Sequence, residues 1–223
     1  QTCALPISEV ERIEATIHNP VLGDMLVVEK FSEYRDFGRG VKFPSRIEET
    51  QAGQPTLQLV VTDVQPNAKV AIEVPAAAAN FKENVASTKL ADGVWLLAGG
   101  SHKSVAIEMK DHAVVVEGPL YDARSQAVID ETKKLIPGKP IRYVLNTHVH
   151  FDHSGGLATF AAEGATIVTN AANKAFYERG LSAKREVNPD ALARSKKKAK
   201  VQGVGEKFSM TDGNRTIEMH QLK

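Results

Sequence analysis

The chain has 223 residues, a formal net charge of +1 and 42% hydrophobic residues, ordinary values for a globular chain of one or two domains. Its 28 basic and 27 acidic residues nearly cancel, which removes the electrostatic case for a nucleic-acid partner. No uninterrupted apolar stretch is long enough to cross a bilayer.

Taken in chain order, Gln1-Thr2-Cys3-Ala4-Leu5-Pro6-Ile7 resembles the translation of a sequencing-adapter end. Residues 1–7 are therefore read as a non-native peptide, with Cys3 an artefact and the natural start further upstream. Residues 8–75 are β-rich. Val10–Ile17, Met25–Phe31, Lys42–Glu49 and Leu57–Thr62 are strand-like, and Gly23-Asp24, Gly38-Arg39-Gly40 and Ala52-Gly53-Gln54-Pro55 supply turns. Successive strands with short turns predict an accessory antiparallel sheet. The pattern from Tyr34-Arg35-Asp36-Phe37 to Gly40–Ile47 resembles the curved sheets of periplasmic lipoprotein-carrier and related lipid-binding proteins. That resemblance implies a periplasmic or secreted protein; a sheet that serves as a simple accessory is preferred over lipid binding. Residues 76–88, opening on Ala76-Ala77-Ala78-Ala79-Asn80, read as a linker to a second region, 89–223.

The second region begins as a meander. Asp92–Gly100 and Ser104–Met109 read as two strands about a turn, and Lys110-Asp111-His112 turns into Ala113–Glu117. Ala123, Val128, Ile129 and Leu135 recur at helical intervals from Asp122 to Leu135, and Pro137-Gly138 closes that helix. A strand over Ile141–Leu145 then leads into Asn146-Thr147-His148-Val149-His150-Phe151-Asp152-His153-Ser154-Gly155-Gly156. Beyond it, Leu157–Ala162 reads as a helix, Ala165–Thr169 as a buried strand and Ala171–Arg179 as a helix, the alternation of a layered α/β arrangement. Arg215–Leu222 is strand-like.

The run from Asn146 to Gly156 carries the chemistry. If the loop stays extended, His148, His150 and Asp152 point to one side, and grouping them without a counter-ion costs several kcal/mol. Neutral imidazole and carboxylate are ligands that Zn²⁺ takes, with Fe and Mn as competitors. The string Thr-His-x-His-x-Asp-His-x-Gly-Gly after a strand resembles the signature of the metallo-β-lactamase superfamily, each position being filled by Thr147, His148, His150, Asp152, His153, Gly155 and Gly156.

That resemblance implies an α+β fold of αββα type, here the amino-terminal half of the sandwich preceded by the accessory sheet. It implies two metal ions per complete domain: His148 and His150 on one, Asp152 and His153 on the other, with a hydroxide between them that Asp152 orients for catalysis. The implied activity is metal-dependent hydrolysis of an ester, lactone, lactam or related bond in a small-molecule substrate. The resemblance further implies that the chain stops before the remaining ligands, leaving each metal one protein ligand short and this chain itself inactive. Two other readings stay open: an apolar-ligand or lipid-binding protein with a vestigial hydrolase domain, and a diiron redox protein of the same fold. Such redox relatives replace the second histidine with a carboxylate, and His150 argues against that.

Other residues receive structural readings. Ser154 is expected to cap the following helix. His18 is expected to be solvated at a strand end and His112 to sit at a turn tip. His102 lies in the loop between two early strands where the family places a substrate-facing flap, which leaves it a candidate for lining the site. His220 falls within a strand, whereas relatives place their next ligand histidine in the loop after it. Glu117 stands where many relatives have Asp and receives no role. The cluster Lys196-Lys197-Lys198 with Lys200 reads as a solvated loop or helix face. The sequence leaves the oligomeric state undetermined.

Overall fold

The computed structural model describes residues 9–38 and 40–222 in two compact units, one holding residues 24–80 with the chain up to Ile17, the other His18–Gly23 with residues from Phe81 onward. The peptide 1–7 lies outside the described residues. No described helix is long and apolar enough to cross a membrane.

The first unit is built on a four-stranded sheet in sequential order: β1 (Arg12–Asn19), β2 (Gly23–Asp36), β3 (Lys42–Gln51) and β4 (Gln54–Val60). β2–β3 and β3–β4 pair antiparallel, as the short turns predict. Ala52 (φ 48°) and Gly53 (φ 81°) both take positive φ, the two-residue hairpin geometry whose twist matches that of the strands. Its core is thin: Met25 and Val27 are buried, while Ile13, Leu26, Leu57 and Leu59 remain exposed. Ala76–Ala79 forms a single helical turn, α1.

The second unit contains a seven-stranded sheet of order β11-β10-β9-β8-β7-β6-β5. β5 (Ala86–Ala91), β6 (Val94–Ala98), β7 (Lys103–Glu108) and β8 (Ala113–Val116) are an antiparallel meander. β8 through β9 (Ile141–Leu145), β10 (Thr166–Asn170) and β11 (Lys200–Val204) run parallel. The stretch 76–88 is thus not all linker: Ala86 already pairs with Ala98, a contact that local composition does not report. β11 likewise corrects the reading of the lysine cluster, because Lys200 pairs with Thr166 as the first residue of an edge strand.

The parallel connections carry α2 (Asp122–Leu135), α3 (Phe151–Ser154), α4 (Leu157–Glu163), α5 (Ala171–Ser182) and α6 (Ala191–Ser195). Strands β8 to β11 follow one another across the sheet without reversing direction, so crossovers of one hand put their helices on one face. The packing agrees. Val115, Val144 and Ile167 point into a core with Val128 and Ile129 of α2, Leu157 and Phe160 of α4 and Tyr177 of α5. Their neighbours Val114, Leu145 and Val168 point to the other face, where Phe208, Met210, Ile217 and Met219 cover them. Those four belong to the hairpin of β12 (Lys207–Thr211) and β13 (Thr216–His220), whose alternate residues face outward. Burial on both faces is why β8 is an unbroken run of Ala and Val.

Candidate active site

The site lies past the carboxyl ends of β8 and β9, the end of a parallel sheet at which ligands bind. Glu117 follows β8, and the run Asn146–His150 follows β9. The run does not stay extended as expected: Phe151–Ser154 closes into the helical turn α3, with His150 as its first flanking residue. Asp152 and His153 therefore sit on a turn of helix while His148 and His150 remain on extended chain.

This bend gathers the motif. The His148 ring lies 4.8 Å from that of His150 and 4.2 Å from that of His153. Asp152 Oδ2 lies 3.5 Å from His153 Nε2 and 2.8 Å from Nε2 of His102. His102, Asp152 and His153 each offer a donor atom within 4.8 Å of the other two. His102 thus enters the site by tertiary placement, across from a motif fifty residues later; its place in a flap-like loop was the only sequence signal. His220 does not join them. Strand alternation turns it outward, where Nε2 lies 2.9 Å from Glu218 Oε2 and the side chain is half exposed.

Beneath the imidazoles runs a buried network absent from the sequence reading. Glu117, 7% exposed, accepts hydrogen bonds from the Thr147 backbone N–H (3.2 Å) and Asn146 Nδ2 (3.1 Å), and Oε2 lies 3.7 Å from His153 Nδ1. Its backbone is left-handed (φ 69°), a conformation costing a non-glycine residue about 1–3 kcal/mol. Burial raises the Glu117 carboxyl above its usual range, against the lowering bonds from Thr147 and Asn146. Asn146, fully buried, also donates from Nδ2 to the His153 carbonyl and accepts from the Tyr177 hydroxyl at 2.5 Å. The same hydroxyl lies 2.9 Å from the His148 carbonyl oxygen. Burial pushes the Tyr177 phenol up, so it remains a donor at neutral pH. Desolvation raises the Asp152 carboxyl, but its own backbone amide, His153 and His102 outweigh that and leave it below the usual value.

Three structural readings change. Ser154 does not cap α4; its hydroxyl donates back to the carbonyls of Val149 and His150, tightening α3, and Gly156 holds the cap position. The glycines are required by space: a Cβ on Gly155 would meet Leu120 O at 1.9 Å, and one on Gly156 would meet Ser125 Oγ at 1.9 Å. His112 is buried against Tyr143 with Nδ1 2.7 Å from Asp111 Oδ1, because the turn packs onto β9. His18 is half-buried, facing a small cavity with Tyr121, Asp122 and Arg194.

A cavity of about 790 Å³ opens beside Thr147 and His148. Val116, Leu145, Ile217 and Met219 give it an apolar floor, and Asn170 and His220 lie at its polar rim.

Residues 97–220 match the family described as the metallo-beta-lactamase superfamily. Among solved structures, the chain is similar to a metallo-beta-lactamase from Hirschia baltica: 26% identity, 46% of this chain and 52% of that chain, TM-score 0.39. It is also similar to one from Pontibacter korlensis, with 15% identity, 60% and 59% coverage and a TM-score of 0.46. A third is FIM-1 from Pseudomonas aeruginosa in its mono-zinc form, with 18% identity, 59% and 56% coverage and a TM-score of 0.42. The chain spans between half and three-fifths of the length of these relatives.

Proposed function

Because the chain belongs to the metallo-beta-lactamase superfamily, we propose that it is a metal-dependent hydrolase whose ligands include His148, His150, Asp152 and His153. The observation that carries this reading is the convergence of these side chains at the end of β9, the His148 ring lying T-shaped to His150 and tilted against His153, beside an ionised carboxylate.

The donor set fits a divalent first-row cation, zinc first and iron or manganese as competitors. Its outer partners fit as well, since a ligating histidine normally engages its second ring nitrogen elsewhere. Thr147 Oγ1 lies 2.9 Å from His148 Nδ1, and the Glu117 carboxylate faces His153 Nδ1. A cation bound there would polarise the scissile bond and lower the pKa of a water molecule.

The remaining work belongs to the chain. Thr147 fixes the ring orientation of His148, and Glu117 places a carboxyl group beside the His153 ring. Asp152, ionised at neutral pH, accepts a hydrogen bond from the attacking water and orients it. The cavity beside His148 takes the apolar body of a small substrate, and its volume is in the range usual for small-molecule sites. An ester, lactone or lactam carries both an apolar body and a bond open to such attack.

Metal analysis of dialysed protein, paired with a panel of ester, lactone, lactam and phosphodiester substrates, tests the reading. His150→Ala is expected to weaken metal retention and to abolish whatever turnover the wild type shows, while leaving circular dichroism unchanged, because His150 is exposed and lies outside the core. Wild-type turnover in that variant would refute the assignment.

A further inference from the structure

We propose that His102 is a third protein ligand to the cation held by Asp152 and His153, and that Arg124 puts it there. The inference rests on the hydrolase reading and adds a residue from outside the motif.

Geometry is the first argument. His102 Nε2 and His153 Nε2 approach the same Asp152 oxygen, at 2.8 and 3.5 Å. Ligand atoms about 2.1 Å from a tetrahedral cation stand roughly 3.4 Å from one another. The His153 separation is already of that size, and the His102 separation needs to open by only about half an ångström. The three side chains are 33%, 26% and 32% exposed, recessed but reachable by an ion. Two imidazoles and a carboxylate with a position left open form a donor set of hydrolytic zinc sites, and the motif alone supplies one imidazole and the carboxylate.

The way His102 is held is the second argument. Arg124 of α2 is 1% exposed, and its guanidinium donates to the carbonyls of His102 (2.7 Å) and Asn84 (3.3 Å). No acidic side chain pairs with it among its hydrogen bonds, and Nε has no partner among the described residues. The chain closes directly over it: a Cβ on Gly99 would meet Arg124 Nη1 at 1.9 Å and Asn84 O at 2.1 Å. Ser101 Oγ, 2.8 Å from His102 Nδ1, engages the ring nitrogen that a ligand through Nε2 would leave over. A partly exposed His–Asp pair contributes too little to account for a buried guanidinium that has no acidic partner among its hydrogen bonds. A cation site that depends on the position of His102 accounts for both.

The test uses the full chain, stripped of metal and titrated with Zn²⁺ against a chromophoric chelator, then with Co²⁺ followed by visible absorption. His102→Ala and His102→Gln are compared with wild type. Glutamine keeps a hydrogen-bond donor for Asp152 and removes the imidazole. Both variants are expected to weaken one Zn²⁺ site by tenfold or more and to change the Co²⁺ spectrum, with unchanged circular dichroism. If both bind like wild type, or if Gln restores wild-type binding where Ala does not, His102 is at most a hydrogen-bond partner of Asp152 and the proposal fails while the hydrolase reading stands. If wild type itself takes up no metal, both fall.

Discussion

Tyr177→Phe isolates the buried network under the ligand loop with the loss of a single oxygen atom. The ring is 2% exposed and packs in the main core, and phenylalanine keeps that packing. What disappears is the donor to Asn146 Oδ1 at 2.5 Å, shared with the His148 carbonyl at 2.9 Å. One hydroxyl carries one proton, so the loss counts as one hydrogen bond, about 1 kcal/mol net, plus the penalty of a buried amide oxygen left without a donor, about 1–3 kcal/mol. Removing the hydroxyl's own desolvation offsets part of this, and about 2 kcal/mol remains. In a unit of this size that corresponds to a fall in Tm of about 4–8 °C. Asn146 also holds Glu117 and the His153 carbonyl, so its loosening should reach the imidazoles and weaken Zn²⁺ binding about tenfold. Thermal melts followed by circular dichroism, with chelator and with Zn²⁺, read both effects. A Tm within one degree of wild type together with unchanged Zn²⁺ affinity would refute the claim that this network positions the loop.

Two further predictions concern the turns. Gly155→Ala should destabilise by at least the usual overpacking cost, about 1–3 kcal/mol, because the obstacle is the Leu120 backbone, which a rotamer change cannot relieve. Gly205→Ala, with no atom of the described residues within 4 Å of the added carbon, is the control and should stay within about half a kcal/mol in chemical denaturation. Asp212 accepts backbone N–H bonds from Lys110, Asn214 and Arg215, and the latter two hold its carboxyl down to about 2 against a usual 3.8. A depressed carboxyl stabilises the fold above its unfolded pKa and loses that contribution as pH falls through the folded one. Stability should therefore drop between pH 4 and 2 in wild type and drop less in Asp212→Asn; equal acid sensitivity of the two proteins would count against this origin.

The sequence by itself determined the elements whose period is local and the grouping of side chains that are contiguous in the chain. Asp122–Leu135 is a helix and Ile141–Leu145 a strand, with the bounds their periodicity predicts, because apolar spacing reports the face each buries. The motif from Thr147 to Gly156 could be read for the same reason: strand, loop and helix bring its groups together over eleven residues from Asn146. Tertiary structure decided what depends on distant partners. β5 and β11 exist because neighbouring strands pair with them, and neither carries a strong apolar alternation of its own. The helical turn α3, which puts His153 against His148 and Asp152 beside His153, rests on the Ser154 hydroxyl and on Gly155 and Gly156 closing against residues 119–125. His102 and Arg124 are separated in sequence from the motif and from each other. Only the packing of α2 beneath the loop after β6 brings a buried guanidinium to the His102 carbonyl and that imidazole to Asp152, since a long-range contact leaves no periodic trace in a single chain.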